Sequence, residues 1–248
     1  SPKPHVLVTA RVCARRRLSP TFARVTLAGE GLDRFEDKGY DQWFRMFFAR
    51  DGQGRMSLPE QHHDLGWYRQ YLAAPDEQRT WMRYVTVSDF RIGAHGPELD
   101  VDVVVHGQPG AADCGPLSAW AQSVTPGERV GLLDQGPLFK PDQARAGVVL
   151  IGDETAVPGI LRILRCLPAD AWGEAYLEVP SRADEQAVLA PTGVRVRWLV
   201  REDPQSRPAH AALTAATPEL LARRHGYVYA AGESTMTKAL SELLADQL

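Results

Sequence analysis

The sequence predicts a two-domain protein of class β plus α/β, an N-terminal six-stranded antiparallel barrel followed by a parallel-sheet α/β domain. Three observations carry this. Short alternating or apolar runs separated by Gly, Pro and Asp clusters fill the first half. The Gly- and Pro-rich stretch 136–143 marks a change to strand–helix alternation, setting domains at 1–140 and 141–248. A strand–turn–helix at 148–167 then recurs in outline at 227–247.

The barrel runs are His5–Val12, Phe22–Ala28, Gln42–Phe48, Trp81–Ser88, Leu99–His106 and Arg129–Leu133. Aromatic-rich Leu65–Leu72 interrupts them as a helix ended by Pro75, and Arg15-Arg16-Arg17 reads as a solvated turn. Gly115-Pro116-Leu117-Ser118-Ala119-Trp120-Ala121 reads as a short helix with Pro116 at its first position. Its free amides, its hydroxyl and the lack of a neighbouring carboxylate make it the best phosphate site in the chain, and a plain capped helix is the alternative.

The second half reads as β at 148–151, α at 156–167, β at 175–179 and 194–200, α at 209–224, β at 227–231 and α at 235–247. Val148–Ile151 is apolar throughout, as in a strand buried on both faces, and Gly152 breaks it. Asp153 or Thr155 can take the orphan amides of the next helix, whose stripe is Val157, Ile160, Leu161 and Leu164, with Arg162 and Arg165 off it and Pro168 as stop. Tyr227–Ala231, Gly232-Glu233-Ser234-Thr235 and a helix bearing Met236, Leu240, Leu243 and Leu244 repeat the device. Both turns open at the carboxyl edge of the sheet, where such sheets hold ligands, and together can line one crevice. Asp153 and Glu154 at the positive end of a helix oppose a phosphate, and G-x-x-x-x-G-K and G-x-G-x-x-G are lacking. The turn suits a ribose, an amide or a neutral ring; capping acids in an ordinary turn are the other reading, for Glu233 as well.

With 248 residues, 28 basic and 31 acidic, the net charge of −3 gives no electrostatic case for nucleic acid or an anionic membrane. No apolar run is long enough for membrane insertion, the start lacks a signal-peptide core, and a cytoplasmic location is expected. Cys13, Cys114 and Cys166 are too few and too dispersed for a disulfide framework or an iron–sulfur site, and the seven histidines show no ligand spacing, so no metal site is expected. Redox chemistry would have to come from a bound organic cofactor or an external metal.

Five local sequences, in order, resemble the siderophore-interacting proteins, FAD-binding ferric-siderophore reductases with a ferredoxin-reductase-like fold. Asp102-Val103-Val104-Val105-His106-Gly107 is similar to their D-F-V-L-H-G, Gly115–Ala121 to G-P-A-S-x-W-A, and Val149–Pro158 to L-L-x-G-D-E-T-A-L-P. Leu177-Glu178-Val179 and Ala230-Ala231-Gly232-Glu233 match the E-V strand and A-G-E turn. The resemblance implies FAD as cofactor, NADH or NADPH as donor and a small-molecule ferric siderophore as substrate. It puts Arg83 and the amides around Gly115, Leu117 and Ser118 on the FAD phosphates, Thr86 at the ring, Val85 at the position of the family's ring-packing Tyr with Tyr84 next to it, and His106 near the adenosine or phosphate part, with Asp102 also among the cofactor-binding residues. The nicotinamide falls by Gly152, Asp153, Thr155, Gly232 and Glu233, and Thr86, Asp153 and Glu154 are the candidate catalytic residues. Hydride passes to FAD, single electrons pass to the iron, and no side chain need act as nucleophile or general acid.

The chain departs from the family's M-R-x-Y-T-V-R. In Met82-Arg83-Tyr84-Val85-Thr86-Val87-Ser88, Arg83 and Thr86 match, Val85 and Ser88 replace the Tyr and second Arg, and Tyr84 falls on the opposite face of a regular strand unless a bulge re-aims it. After the last barrel strand the family's G-P-x-G-x-F reads Asp134-Gln135-Gly136-Pro137-Leu138-Phe139, and Gln108–Cys114 reads as an insertion. Two further functions therefore stay open: a scaffold turned to a flavin-dependent or redox-neutral biosynthetic step, and a siderophore- or nucleotide-binding module without turnover.

Overall fold

The computed structural model describes residues 7–50, 56–58, 66–76, 79–142, 147–203, 206–222, 226–232, 238 and 240. The chain forms two compact units: the first holds the residues up to Arg17, Ala23–Lys38 and Gln42–Pro137, and the second Leu18–Phe22, Gly39–Asp41 and Leu138–Leu248.

The first unit is a curled antiparallel sheet, a half-barrel of β1 (Leu7–Arg17), β2 (Phe22–Ala28), β3 (Trp43–Phe48), β4 (Trp81–Thr86), β5 (Asp89–Gly93), β6 (Gly96–Val104) and β7 (Arg129–Gly136) in the order β4-β3-β7-β1-β2-β6-β5. The strand period of two decides its core: Phe44, Met46 and Phe48 of β3 and Val101 and Val103 of β6 point inward with Val25, Leu27, Val130 and Leu132. Phe47 points outward beneath helix α1 (Gly66–Ala73), where it meets Trp67 with Leu7 and Leu133. Helix α2 (Pro116–Ser123) packs Trp120 on Phe48, ring centroids 5.4 Å apart. The six strands expected are seven. The expected strand at 99–106 is a longer β6 hairpinned to β5, which hides in the sequence because Arg91, Glu98 and Asp100 are charged; Arg91 bonds both acids across the pair, at 2.6 and 2.8 Å.

The second unit is a parallel sheet in the order β10-β9-β8-β11, made of β8 (Val148–Gly152), β9 (Trp172–Val179), β10 (Gly193–Val200) and β11 (Tyr227–Ala231). Helix α3 (Val157–Cys166) buries Val157, Ile160, Ile163 and Leu164, and Arg162, expected off the stripe, is buried with them. Helix α4 (His210–Ala222) sets Ala212, Ala216 and Leu220 on Val149, Ile151 and Tyr176. Strand β9 begins three residues before the expected 175, because Gly173, at φ +142°, lets the backbone pass where a Cβ would stand 2.0 Å from the Val148 carbonyl oxygen. The helix expected at 235–247, like Glu233, lies outside the described residues apart from 238 and 240.

Two short segments are tied into this unit by buried carboxylates. Asp184 accepts from Ser19 Oγ, Thr21 N and Thr21 Oγ1 at 2.6–2.8 Å. Asp41 accepts from the amides of Leu138 and Phe139 and from the Tyr229 hydroxyl. Burial, with the Asp41 carboxylate beside it, pushes the Tyr229 phenol well above the ordinary tyrosine value. A folded-state pKa above the unfolded one gives stability that is fully present below about pH 10 and is lost as pH rises further. Melting temperature against pH is expected to fall less steeply above pH ~10 in Tyr229→Phe than in wild type.

Candidate functional site

In the first unit, strand β4 runs in unbroken register with β3, pairing Trp43 with Thr86, Phe44 with Val85, Arg45 with Tyr84 and Met46 with Arg83. No bulge re-aims Tyr84. Val85 lies in the barrel core, and Tyr84 stands on the other face, 65% exposed, sharing it with Thr86. Arg83 lays its guanidinium over the Trp81 ring at 5.1 Å and donates to its neighbour's carbonyl, Met82 O. Ser88, at the family's second Arg position, accepts the Asp102 amide.

Helix α2 opens as a phosphate site should: Gly115 caps it without a side-chain bond, Pro116 fills its first turn and no acid lies there. Among the described residues, the Leu117 and Ser118 amides have no partner in the protein. The Ser118 hydroxyl is engaged elsewhere. It is buried, accepts from His106 N and donates to His106 O, both at 2.9 Å, and so fixes the end of the β6 chain to the helix. Ser118→Ala would strand a buried amide and carbonyl, with an expected loss of about 1–3 kcal/mol, read as a melting temperature lowered by several degrees. Asp102 is likewise engaged, in a two-bond pair with Arg24 at 2.7 and 2.8 Å that holds the Arg24 pKa above its ordinary value against the cost of burial. The unit carries donors of the kind a pyrophosphate takes, the Arg83 guanidinium on β4 and the two uncapped amides of α2.

One cluster in this unit was not singled out from the sequence. Arg45 lies between three rings, 4.8 Å from Trp67, 5.4 Å from Tyr84 and 6.0 Å from Tyr68, and Trp43 meets Tyr84 edge-on at 5.3 Å. Among the described residues Arg45 has no carboxylate partner, and its buried Nε makes no hydrogen bond. The sequence signal is the alternation Trp43-x-Arg45-x-Phe47, which puts a cation on an otherwise aromatic outer face.

In the second unit the two turns meet. Gly152 of β8 pairs with Ala231 of β11, so the next residues, Asp153 and Gly232, come together. Asp153 is fully buried and accepts the Thr155 amide and hydroxyl at 2.8 and 2.5 Å, closing the turn rather than facing solvent. Gly232, at φ +134°, lies against that carboxylate. Glu154 receives two bonds from Arg201, at 2.6 and 3.2 Å, and Arg201 donates a third, at 2.8 Å, to Glu178. Glu178, fully buried, also accepts the amides of Ala209, Ala211 and Ala212 and thereby caps α4. Burial disfavours the Arg201 cation, but the two carboxylates outweigh it and raise its pKa. Both acids are thus spent on one guanidinium and a helix start, and Arg201 is held by both of them rather than free for a phosphate. Arg201 escaped the sequence reading because 47 residues separate it from Glu154. The register Val200 opposite Val179 is what brings it to Glu178.

The profile of the siderophore-interacting FAD-binding domain matches residues 11–138, and that of the siderophore-interacting protein matches 145–248. An uncharacterized protein of Mycobacterium tuberculosis is 35% identical over 196 residues, 77% of this chain and 64% of its own length, so the chain spans under two thirds of that relative. The ferric vibriobactin reductase ViuB of Vibrio cholerae is 29% identical over 94% of this chain and 81% of its own. Among solved structures, a siderophore utilization protein from T. fusca has a TM-score of 0.75 at 27% identity, covering 99% of this chain and 88% of that one. SipS, the siderophore-interacting protein of Aeromonas hydrophila, has 0.74 at 26%, covering 98% and 86%. Fold, FAD-binding domain and turn sequences agree, and the chain belongs to the siderophore-interacting protein family.

Proposed function

We propose that the protein is an FAD-dependent, NAD(P)H-linked reductase of ferric siderophores. The observation that carries this beyond family membership is electrostatic sorting within the chain. The first unit presents an uncapped, acid-free helix start, Arg83 and an Arg45 with no carboxylate partner among the described residues, all suited to anions, and the second presents a turn whose carboxylates outnumber the one guanidinium they bind, suited to a neutral ring or a ribose rather than a phosphate. Likeness to a ferric vibriobactin reductase over most of the chain supports the same reading. Arg83 and the Leu117 and Ser118 amides hold the FAD phosphates, His106 sits beside them through its bonds to Ser118, and Asp102 positions β6 through Arg24. Bound FAD supplies the conversion of a two-electron donor into single electrons for Fe(III). Gly152, Thr155 and Gly232 border the nicotinamide, with Asp153 and Glu154 as the residues that fix their turn. Arg45 draws in the anionic ferric chelate.

The test is the visible spectrum of the FAD-loaded protein under anaerobic conditions. Flavin bands that bleach with NADH or NADPH and return with a ferric siderophore are the expected result. Bleaching without return on any ferric complex would point instead to a different electron acceptor, and a protein that takes up no FAD would defeat the proposal.

A further inference from the structure

The basic triplet Arg15-Arg16-Arg17, expected as a solvated turn, is the end of strand β1, and a bulge decides which way its side chains go. Val8, Ala10 and Val12 alternate into the core, so an unbroken strand would send Ala14 and Arg16 inward and leave Arg15 and Arg17 outside. The pairing with β2 slips between Val12 and Ala14, with Cys13 as the extra residue. Beyond the slip Arg15 stands opposite Val25 and Arg17 opposite Ala23, and both β2 partners belong to the core. Directly opposed residues share a face, so the bulge turns two guanidiniums toward the inner face at the end of the half-barrel. There Arg15, Arg17, Ala23, Ala121 and Gln122 line a cavity of about 250 Å³. Two alanines leave the space, and none of the five residues is acidic. Arg15 donates to the Gln122 carbonyl in the last turn of α2, and among the described residues it has no carboxylate partner. That bond answers the partial negative charge of a helix end and fixes the guanidinium through one of its several N–H groups.

We propose that this cavity binds a small multivalent oxyanion, a molecule with two or more phosphoryl or carboxylate groups. Residues two apart on a strand stand about 7 Å from one another, a spacing that two charged groups of one molecule can meet, and a guanidinium takes such a group through paired N–H bonds. The volume lies below the ~300–1,000 Å³ of pockets that take drug-sized ligands, which limits the ligand to a compact ion. The cavity lies at the opposite end of α2 from the Leu117 and Ser118 amides and includes neither Arg83 nor Arg45, so it is separate from the groups assigned to FAD and to the ferric chelate. The proposal does not rest on the reductase reading.

The experiment is calorimetric titration of the FAD-saturated protein with pyrophosphate and, separately, with citrate, in the absence of iron and NAD(P)H. Excess FAD occupies its own phosphate donors. Sub-millimolar binding of at least one anion is expected in wild type. Binding of pyrophosphate alone assigns the site to phosphoryl groups, of citrate alone to carboxylates, and of both to either group. Arg15→Gln and Arg17→Gln are each expected to weaken binding about tenfold or more, and Arg15→Lys, which keeps the charge without the planar fork, to fall between them and wild type. Arg34→Gln removes the same charge at an exposed position outside the cavity and should leave the affinity unchanged. Thermal melting checks that each variant folds, and amide shifts at 121–123 on adding the anion to wild type locate the site without any substitution. Failure of both anions to bind wild type at millimolar concentration, or unchanged affinity in Arg15→Gln, would overturn the proposal. An equal loss in Arg34→Gln would overturn it as well, by reducing the effect to net charge. The proposed reductase function fails separately, by the absence of iron-dependent reoxidation of the flavin.

Discussion

Glu178→Ala is expected to destabilise the second unit by about 3–5 kcal/mol, a large part of the ~5–15 kcal/mol that holds a typical domain folded. The residue is fully buried at the end of β9, and its two oxygens take four hydrogen bonds, from Arg201 Nε and from three amides that open α4. Its loss removes a helix cap and half of the charge balance around Arg201 in one step, because that guanidinium then has Glu154 alone. Two carboxylates against one cation and one helix start form a closed set, so the damage should not stay at α4: it frees the Glu154 turn as well. Urea unfolding followed by circular dichroism measures the loss, and hydrogen exchange should show the amides of 209–212 and 153–156 deprotected together. Glu178→Gln keeps the volume but turns an amide donor toward backbone donors, and is expected to fall between the two. A melt within 1 kcal/mol of wild type for Glu178→Ala would mean that water replaces the carboxylate without cost.

How far this was visible in the sequence differs from residue to residue, for physical reasons. The displacement of Tyr84 to the face opposite Val85 follows from the period of two, and the structure keeps it because the β3–β4 register has no bulge. The meeting of the turns at 152–155 and 232 follows from parallel strands ending at one edge. Neither the β5–β6 hairpin nor the burial of Arg162 was legible. In the hairpin, charges on both strands pair with one another and break the apolar pattern on which strand recognition rests, and a buried arginine on a helix defies the rule that charge marks the solvent face. Glu178 stood out as a carboxylate in an apolar strand, but its partners are 23 and 31–34 residues away, and only the register of β9 with β10 and the placement of α4 bring them to it. Ser118 shows the opposite failure. Its position at a helix start suggested a hydroxyl for a ligand, and the fold uses that hydroxyl on the His106 backbone, leaving only the amides to offer.

Gly232→Ala is the second change with a large expected effect, and its cause can be isolated. The glycine sits at φ +134°, a region that L-residues rarely enter, and an added Cβ would lie 2.5 Å from Asp153 Oδ2 and 2.8 Å from Oδ1. That carboxylate cannot swing away freely, since it is fully buried and bonded to the Thr155 amide and hydroxyl. Backbone strain of ~1–3 kcal/mol and overpacking of a similar size predict a loss of about 2–5 kcal/mol. If the two turns hold the nicotinamide nucleotide together, affinity for NAD(P)H should drop more than tenfold at temperatures where the variant is still folded, as titration by protein fluorescence would show. A double-mutant cycle with Asp153→Ala separates the causes. Removing the carboxylate relieves the clash but not the backbone strain, so the double variant should be more stable than the sum of the single losses by at least 1 kcal/mol. Simple additivity would place the whole penalty in the backbone of Gly232, and the contact with Asp153 would then be incidental to why glycine stands there.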